Sequence, residues 1–399
     1  MTRVASLSLF SGAGGLDHGL EAAGFRTGAT VELDADCCAT MRAAEWPVIE
    51  GDIHSIGTGD LLVQAGVSPR SETILVGGPP CQPFSKSGWW ATGGSRRLED
   101  PRASTLAAYL RVLRESLPRA FLLENVEGLA YRGKAEGLDL LLREVSAINR
   151  DCGTAYDPVV MRVEATGYGV PQMRHRMIVV GIRNGVRFRL PPPTHGPGLE
   201  PWRTAWDAIG DLGPGNEDVR LRGKWAELLP SIPEGQNYLF HTDRGGGMPL
   251  FGWRRRYWSF LLKLAKDRPS WTLQAQPGPA TGPFHWDNRR LTIRELCRLQ
   301  TFPDDVVIVG GRNSAVRQIG NAVPPLLAEV LGRALLEQAF GHSPIPSPLK
   351  LLPPLRLPVP PPRPPRPVSP QFRDLVGNHE AHPGTGLGYR RSRIAAKAA

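Results

Sequence analysis

The chain has 399 residues, of which 41% are hydrophobic and 22% are charged. This length and composition are typical of a globular protein with a large core and a smaller second domain. The sequence has no apolar run of about 18 residues and no signal-peptide pattern at its start, so we expect no membrane span and a cytoplasmic protein. Its five cysteines form no CxxC pair, which argues against a disulfide framework and against a metal site.

The net charge of +10 suggests a polyanionic partner, but most of this charge lies in the C-terminal segment. Residues 341–399 contain nine lysines and arginines and two acidic residues, which leaves a net charge of only +3 for residues 1–340. The overall charge is therefore weak evidence for a nucleic-acid partner, and a local basic cluster would be stronger evidence.

Residues 1–180 alternate short apolar runs with helical patterns, which predicts a mainly parallel α/β sheet. Leu16, Leu20 and Ala23 follow helical spacing after the first run, and Ser104 can begin a later helix that carries a leucine stripe. The predicted strands, in chain order, are Val4–Phe10, Gly28–Leu33, Thr73–Val76, Ala120–Leu123 and Met177–Ile182.

The composition changes near Pro191, where the chain becomes rich in Pro, Gly, Trp and Arg and loses clear periodicity. Thr292 and Glu295 then form a capping-box pattern for a helix, and Pro324 begins a final helix with leucines on one side. The predicted organisation is a first domain over 1–190, a smaller irregular domain over 191–310, a C-terminal helix over 311–340 that completes the first domain, and a tail over 341–399.

The predicted tail, residues 341–399, contains fourteen prolines and includes the stretch PPLRLPVPPPRPPRP. A Pro-rich basic segment of this kind has too few apolar residues to build a core, so we predict a disordered and dispensable tail. A PxxP ligand for a partner protein is the alternative interpretation, and the passive tail is favoured over it.

A glycine-rich turn, Phe10–Leu16, joins the first predicted strand to the first helix. Small residues and free backbone N–H groups at such a turn let a ligand approach closely. Glu32 ends the next strand, where a carboxylate can accept hydrogen bonds from both hydroxyls of a ribose. A nicotinamide dinucleotide is one alternative, but its GxGxxG frame needs a third glycine where Asp17 stands. A nucleoside cofactor without a pyrophosphate fits better, and a purely structural turn stays open.

Cys81 follows the third predicted strand, on a Pro-Pro turn within Gly77–Ser85. Ligands of open α/β sheets bind beyond the carboxyl ends of the strands, so this position suits a nucleophile. A lone cysteine is more often a small buried hydrophobe. We retain that interpretation for Cys37, Cys38 and Cys297, which lie in helical patterns.

Polar side chains also stand at the ends of the later predicted strands. Glu124 comes directly after its strand, which suggests a proton donor beside the cysteine, with a solvated edge or a cap as the alternative. Gln172, Arg174 and Arg176 alternate at the start of the last strand, so they share one of its faces. Three long polar groups on one face indicate a charged or polar partner, and a solvent-exposed strand is the alternative.

Taken in order, these motifs resemble the DNA (cytosine-5) methyltransferase family, of the bacterial restriction-modification or orphan type. Each short string is modest evidence, but their joint order and the variable segment before the last pair make the resemblance specific. The matching motifs span residues 5–340 and are Phe10–Leu16, Glu32, Asp52, Gly77–Ser85, Asp100 with Arg102, Glu124–Val126, Tyr168–Arg176, Arg289–Pro303 and Arg317–Pro325.

The resemblance implies a Rossmann-like, S-adenosylmethionine-dependent catalytic domain and a smaller, irregular target-recognition domain. Phe10 would stack on the adenine of S-adenosylmethionine, Glu32 would hold the ribose, and Asp52 would bind the adenine amino group. Thr105 stands where the family usually has an apolar residue. The implied cofactor residues are Phe10, Gly12, Gly14, Leu16, Glu32, Asp52, Ile53, Pro80 and Asn321.

The resemblance also implies the reaction, which is methyl transfer to C5 of a cytosine flipped out of double-stranded DNA. Cys81 would attack C6 of the base and Glu124 would contact N3, and no metal is needed. Arg174 and Arg176 would steady the cysteine region and the base carbonyl. The residues expected to contact DNA are Gln82, Ser85, Arg254, Arg255 and Arg256, and Gln82–Pro101 is predicted to close over the DNA as a lid.

Two alternatives with the same fold stay open. A tRNA cytosine methyltransferase is disfavoured because the Cys-Phe-Thr string of that relative is missing here. A catalytically inactive DNA-binding relative is disfavoured because Cys81, Glu124, Arg174 and Arg176 are all present. We expect a monomer, and the partner suggested besides DNA is a cognate restriction endonuclease that acts separately.

Overall fold

The computed structural model describes residues 3–80, 104–125, 136–254, 256–343 and 348–376. These ranges contain a central sheet, its flanking helices, the irregular stretch after it and much of the proline-rich C-terminal segment. Cys81, Gln82, Ser85 and Arg255 lie outside the described residues, as does the predicted lid, Gln82–Pro101.

Seven strands form one sheet. They are β1 (Ala5–Leu9), β2 (Arg26–Glu32), β3 (Val48–Glu50), β4 (Thr73–Gly77), β5 (Ala120–Asn125), β6 (Val159–Glu164) and β7 (His175–Ile182). Their order is β3-β2-β1-β4-β5-β7-β6, with β1 to β5 parallel and β7 antiparallel to both of its neighbours. The five predicted strands and the mainly parallel sheet are confirmed, while β3 and β6 are strands that the apolar pattern did not predict.

Helices cover both faces of the sheet. The α-helices of the described residues are α1 (Gly15–Ala23), α2 (Ala35–Ala43), α3 (Thr58–Ala65), α4 (Ser104–Ser116), α5 (Glu136–Cys152), α6 (Ala205–Ile209), α7 (Ile293–Leu299), α8 (Arg312–Asn321) and α9 (Pro325–Phe340). One face packs against α1 and α9, and the other packs against α3, α4 and α5. Ile74 and Val76 lie in the first core and Leu75 lies in the second, all with no exposed surface. Burial on both faces explains why these strands are continuous apolar runs.

The contact between α1 and α9 depends on glycine. A Cβ at Gly19 would lie 2.2 Å from the carbonyl oxygen of Pro325 and 2.4 Å from the Cβ of Ala328. A Cβ at Gly332 would lie 2.8 Å from the Cβ of Ala23. The two helices therefore approach more closely than any larger side chain would allow at these positions.

The single helix predicted over residues 311–340 is two helices, α8 and α9. Ala322 between them has an extended conformation with ψ 147°, and Pro324 is the N-cap of α9. Proline disfavours the helical conformation in the residue before it, so the Val323-Pro324-Pro325 sequence interrupts the helix. The stretch Arg312–Phe340 is apolar enough by composition to cross a membrane, but 83% of its apolar window is buried, as in a core helix.

Between β7 and α7 the chain has little regular structure, as the loss of clear periodicity near Pro191 predicts. Its described residues contain the short helix α6 and the 3-10 helices Leu229–Ser231 and Tyr238–His241. An apolar cluster that includes Leu228, Tyr238 and Phe251 holds residues 221–284 together, and we call this range the irregular lobe. The predicted capping box of Thr292 and Glu295 is present at the start of α7.

The prediction of disorder over residues 341–399 is wrong for residues 348–376, which we call the strap. Leu349, Leu351 and Leu352 pack against the sheet core, and Phe372 near the other end retains 2% exposure. The prolines stiffen the backbone, and the strap's polar and charged groups meet partners from distant parts of the sequence. Tertiary contacts therefore order a segment that cannot build a core by itself.

We expect Gly19→Ala to lower the free energy of unfolding by about 1–3 kcal/mol, because the new methyl group overpacks the contact between α1 and α9. The matched control is Gly59→Ala in α3, where a Cβ meets no atom within 4 Å. Alanine there should leave stability unchanged or raise it by up to about 1 kcal/mol. Urea unfolding of both variants measures the difference, and equal midpoints would contradict the role of Gly19.

Candidate functional site

The predicted site residues come from one edge of the sheet. β1, β2, β4 and β5 end at this edge, and β7 begins there because it is antiparallel, so Glu124 pairs with Ile178 and Asn125 pairs with Met177. A cavity of about 770 Å³ lies between these strand ends and the end of α8. Its lining includes Phe10, Gly12, Leu16, Glu32, Asp52, Ile53, Pro80, Thr105, Glu124, Arg176 and Asn321.

The turn after β1 depends on left-handed backbone conformations. Phe10 and Gly12 both have φ 56°, which is uncommon for a residue as large as phenylalanine. The Phe10 N–H donates to the carbonyl of Val31 at 3.0 Å, so the end of β1 is held against the end of β2. This turn places the aromatic ring and the glycine backbone at the cavity.

Gly14 does not line the cavity, in contrast to the cofactor contact that the resemblance implies. It is the N-cap of α1 with φ 71°, and a Cβ there would lie 2.2 Å from the ring of Trp46. Gly14 thus has a packing role in this turn. Gly14 allows the Trp46 ring to cover the beginning of α1.

Three backbone N–H groups orient the Glu32 carboxylate. Oε2 accepts from Gly12 at 2.8 Å, and Oε1 accepts from Leu33 at 2.8 Å and from Asp34 at 3.0 Å. A carboxylate has about four lone-pair positions, so it can still accept hydrogen bonds from a ligand. Glu32 is therefore held at the cavity wall by the protein itself.

The loop after β3 forms one wall of the cavity, and hydrogen bonds from α4 hold this loop in place. Asp52 is exposed at the cavity and accepts a hydrogen bond from the N–H of His54 at 3.0 Å. Ile53 is buried, and the Arg111 guanidinium donates to its carbonyl at 2.7 Å and to that of Ile56 at 2.9 Å. Arg111 thereby determines where Asp52 and Ile53 meet the cavity.

The turn that leads into Cys81 is held against β5. The Asn125 side chain donates from Nδ2 to the carbonyl of Pro79 at 3.2 Å. A Cβ at Gly78 would lie 3.0 Å from Oε2 of Glu124, which is a tight contact, so glycine leaves room for the carboxyl group here. Both contacts place Pro80, the last described residue before Cys81, beside the Glu124 carboxyl group.

Glu124 and Arg176 form an ion pair at the cavity. Arg176 Nε lies 2.6 Å from Glu124 Oε1, without the alignment of a hydrogen bond, and the two side chains are only 12% and 11% exposed. Arg176 Nη1 donates to the carbonyl of His175 at 2.8 Å, which limits how the guanidinium can turn. The carboxyl group and the guanidinium therefore occupy defined positions at one wall, with Oε2 of Glu124 on the side of Gly78.

Arg174 does not reach the cavity, although the resemblance implies that it and Arg176 together steady the cysteine region and the base carbonyl. Its side chain has no exposed surface, and its Nη2 donates to the carbonyls of Gly320 and Ala322, each at 2.8 Å. Gln172 beside it donates to the side chain of Gln300 at 2.9 Å. We call the side chains of Gln172, Arg174 and Gln300 the buried polar network. The alternation along β7 predicted a shared face, but it did not predict that two of the three side chains are buried behind the site.

The buried polar network positions the end of α8. Gln300 donates from Nε2 to the carbonyl of Ile319 at 2.6 Å, and Gly320 approaches Ala275 so closely that a Cβ would lie 2.5 Å from its Cα. Asn321 follows directly and lines the cavity. Gln300 is a residue that the sequence did not single out, because a glutamine at a helix end gives no signal of its distant partners.

An ion pair joins α8 to the start of α2. Arg317 lies 2.8 Å from Asp34, which also accepts from the N–H of Cys37 at 3.1 Å as the N-cap of α2. Burial acts to raise the pKa of Asp34, but the Cys37 hydrogen bonds and the Arg317 charge outweigh it, so the pKa lies below its usual value. Asp34 was not predicted, although an acidic residue two positions after a strand end is a recognisable N-cap signal.

The cysteines assigned to the core are buried, as predicted. Burial raises the pKa of Cys38 to about 11 and that of Cys297 to about 12, and it raises the pKa of Cys37 further still. Because the thiolate is the nucleophile, these three thiols are poorly suited to attack a substrate at neutral pH. Cys37 lies at the cavity wall but keeps only 7% exposure.

The irregular lobe carries a basic and aromatic surface segment, residues 253–258, of which Arg255 lies outside the described residues. Arg254 has φ 55° and lies over the ring of Trp253, with the guanidinium carbon 5.7 Å from the ring centre. Tyr257 and Trp258 are 47% and 58% exposed. Exposed aromatic rings interleaved with arginines are typical of protein surfaces that bind nucleic acids.

Another cavity, of about 670 Å³, lies between residues 273–284 and α8 and contains none of the predicted site residues. Arginines contribute to its wall, but two of them are engaged: Arg312 pairs with Glu217 at 2.8 Å and Arg317 pairs with Asp34. Across the parts of the chain that the structure describes, no group of three His, Cys, Asp or Glu side chains could hold a metal ion.

The described residues have the fold of solved methyltransferase structures. A DNA modification methyltransferase encoded in an E. coli prophage has this fold, with a TM-score of 0.62, 21% identity, and coverage of 84% of this chain and 99% of that one. A Spodoptera frugiperda DNMT2 mutant also has it, with a TM-score of 0.58, 15% identity, and coverage of 84% and 100%. At these identities the likeness concerns the fold alone.

Residues 4–337 match the family of C-5 cytosine-specific DNA methylases, and the chain belongs to that family. It is 42% identical over 368 residues to the Type II methyltransferase M.SacI of Streptomyces achromogenes, covering 83% of this chain and 92% of the relative. It is 35% identical over 341 residues to M.NgoFVII of Neisseria gonorrhoeae, covering 83% and 86%. The resemblance is thus confirmed, and the protein is a DNA (cytosine-5) methyltransferase.

We expect Arg174→Lys to lower the free energy of unfolding by about 2–4 kcal/mol, because lysine cannot reproduce the fork that satisfies two buried carbonyls. Arg176→Lys is the matched control, since its side chain lies at the cavity and not in the buried polar network. It should change stability by less than about 1 kcal/mol. Urea unfolding measures both, and an Arg174→Lys protein as stable as the wild type would show that the network does not position α8.

Proposed function

We propose that the protein transfers a methyl group from S-adenosylmethionine to C5 of a flipped cytosine in a specific double-stranded DNA site, through a covalent bond between Cys81 and C6. The observation that carries this proposal is the ion pair of Glu124 and Arg176. It lies in the wall of the same cavity as Glu32, beside the turn that leads into Cys81. A base-binding pair and a ribose-binding carboxylate in one cavity suit a reaction between a nucleotide and a nucleoside cofactor.

The cavity suits S-adenosylmethionine in its chemistry. The Glu32 carboxylate is oriented by three backbone N–H groups and can accept from ribose hydroxyls. Phe10 and Ile53 provide apolar walls for an adenine, and the exposed carboxylate of Asp52 can accept from its amino group. Pro80 and Asn321 contribute the remaining side near Cys81.

The residues of this chain divide the chemistry among them. Cytosine C5 is a weak nucleophile because its electrons belong to an aromatic ring. Addition of the Cys81 thiolate to C6 forms an S–C6 bond and gives C5 the character of an enamine. Glu124 at N3 and Arg176 at the base carbonyl offset the charge that builds up in the ring.

S-adenosylmethionine, when bound, would supply the methyl group as an electrophile for C5, and breaking its S–CH3 bond would leave S-adenosylhomocysteine. Loss of the C5 proton to a base and cleavage of the S–C6 bond then return the thiolate and restore the aromatic ring. Arg174 acts as a positioning residue for this reaction, since it holds the α8 end that carries Asn321. None of these contacts can form with a stacked base, so the target cytosine must leave the duplex.

Recognition of the DNA site belongs to the irregular lobe, with segment 253–258 as its basic and aromatic surface. Its arginines can contact phosphates or read guanine, and Arg255 and Arg256 are assigned to this surface together with Arg254. Gln82 and Ser85 are assigned to the DNA side of Cys81. The names of the Type II methyltransferase relatives support a separately acting restriction endonuclease as a partner. We also infer that the protein is a monomer and that it acts in the cytoplasm.

Glu32→Ala should weaken S-adenosylmethionine binding roughly tenfold to hundredfold, because hydrogen bonds to a charged group are lost. Its matched control is Glu50→Ala, since Glu50 is the neighbour of Glu32 in the β2–β3 register, carries the same charge and does not line the cavity. Titration calorimetry with S-adenosylmethionine measures both affinities. Equal affinity in the Glu32→Ala and wild-type proteins would place the cofactor elsewhere.

DNA with 5-fluorocytosine at the target should trap a protein–DNA adduct that survives denaturation, and only when S-adenosylmethionine is present. Fluorine cannot leave C5 as a cation, so the S–C6 bond cannot be released after methylation. Cys81→Ser should abolish both the adduct and methylation, because a serine hydroxyl is a poor nucleophile here. Cys152→Ser is the control and should keep both.

An adduct that mass spectrometry places on another cysteine would overturn the assignment of Cys81. The same assay with tRNA in place of DNA tests the alternative substrate. If an expressing host shows methylated tRNA and no methylated DNA site, the DNA proposal is replaced by the tRNA alternative. If its DNA is methylated, bisulfite sequencing of that DNA identifies the target site.

A further inference from the structure

We propose that the strap, residues 348–376, positions the DNA-reading segment 253–258, and that Phe372 does so through Trp225. This inference rests on the proposed function, because it assigns segment 253–258 to DNA. The family match ends at residue 337, so the strap lies beyond the part of the chain that the family accounts for. Its contacts with the rest of the protein are the basis of the proposal.

The beginning of the strap is bound to the catalytic domain. Glu329 on α9 has no exposed surface, and its carboxylate accepts from the N–H groups of Lys350 at 2.8 Å and Leu351 at 3.0 Å. Arg333, one turn later on α9, donates to the carbonyl of Pro348 at 2.7 Å. A buried carboxylate that accepts two backbone N–H groups fixes the direction in which the strap leaves α9.

The middle of the strap is bound near α6. Arg356 donates its backbone N–H to the Asp207 carboxylate at 2.7 Å and its Nε to the Asp207 carbonyl at 2.9 Å. Its Nη2 lies 3.0 Å from Asp211, which also pairs with Arg298 of α7. Arg203 donates to the carbonyl of Pro353 at 3.0 Å. The strap therefore passes the junction between the catalytic domain and the irregular lobe at a defined position.

Further along, the strap reaches the irregular lobe itself. Glu234 and Lys266 form an ion pair at 2.5 Å that is almost fully buried, and Glu234 also accepts from the N–H of Arg363 at 3.1 Å. The Arg363 guanidinium pairs with Asp287 at 2.8 Å. The backbone N–H of Arg366 donates to Pro230 at 2.9 Å.

The strap ends in an aromatic contact. Phe372 is 2% exposed and stacks on Trp225, with ring centres 5.9 Å apart and planes 15° from parallel. Gln371 donates to Glu227 at 2.6 Å beside it. Trp225 in turn meets Phe260 edge-on, with ring centres 5.4 Å apart. Stacked and edge-on aromatic pairs of this kind stabilise a contact beyond the effect of the apolar area that they bury.

Trp225 connects this contact to segment 253–258. The Arg256 guanidinium lies over Trp225 at 5.8 Å and over Phe260 at 5.7 Å. The Tyr238 hydroxyl accepts from the Arg256 N–H at 3.1 Å and donates to its carbonyl at 2.9 Å, which fixes the backbone there. Loss of the Phe372 side chain would leave the Trp225 ring without its stacking partner. Because the Arg256 guanidinium lies over the same ring, the position of Arg256 would then be less well defined.

The test compares Phe372→Ala and Phe372→Leu with Leu355→Ala, an apolar truncation on the same strap at a side chain that is 48% exposed. Amide hydrogen exchange on the free proteins reports on residues 253–260 without any assay of activity. We expect faster exchange in that range for Phe372→Ala, a smaller change for Phe372→Leu, and the wild-type rate for Leu355→Ala.

Methylation kinetics form the second measurement. Phe372→Ala should raise KM for DNA about three- to tenfold, in proportion to the lost aromatic contact. The rate at saturating DNA and the affinity for S-adenosylmethionine should stay within about twofold of the wild-type values, because the cavity is untouched. Leu355→Ala should match the wild type in all three quantities.

Three results would overturn the inference. Phe372→Ala with wild-type exchange over residues 253–260 would show that the strap does not support this segment. Faster exchange without a change in KM for DNA would separate the segment from DNA binding. A fall in the saturated rate together with lost cofactor affinity would indicate a general structural role. If the wild-type protein methylates no DNA, the proposed function fails instead, and the exchange measurement still decides whether Phe372 orders the segment.

Discussion

The fully buried Arg174 guanidinium is the contact on which the site depends. From its position directly before β7 it donates to the carbonyls of Gly320 and Ala322, and so it connects the sheet to the break between α8 and α9. A buried cation is costly unless polar groups surround it, and the same contacts that lower this cost also fix the helix end. Asn321 reaches the cavity because of this connection, although Arg174 itself does not.

The direction of β7 is the second constraint. The parallel strands β1, β2, β4 and β5 all have their carboxyl ends at one edge of the sheet. A further parallel strand beside β5 would also place its carboxyl end at that edge. Because β7 is antiparallel, its first residues meet the last residues of β5, and Arg176 lies beside Glu124. Glu124 near the end of β5 and Arg176 near the start of β7 are 52 residues apart in sequence, and this arrangement brings them together as an ion pair.

The strap shows where composition misleads. Proline and arginine predict disorder because such a segment has too few apolar residues for a core of its own. The acidic groups that order it, at Glu329, Asp207, Glu234 and Asp287, lie in four separate parts of the fold. No local pattern contains them, so the order of the strap follows from the assembled surface. The family resemblance gave no help either, since it ends before the strap begins.

The sequence by itself determined the mainly parallel sheet, five of its seven strands, the capping box of Thr292 and the order of the motifs, because apolar periodicity and capping are local properties of neighbouring residues. It also determined the family, through the joint order of short motifs. Tertiary structure alone decided that Gly14 accommodates Trp46, that Arg174 lies behind the cavity, and that Phe372 stacks on Trp225. These roles depend on which distant residue a side chain meets, and the chain settles that only when it folds.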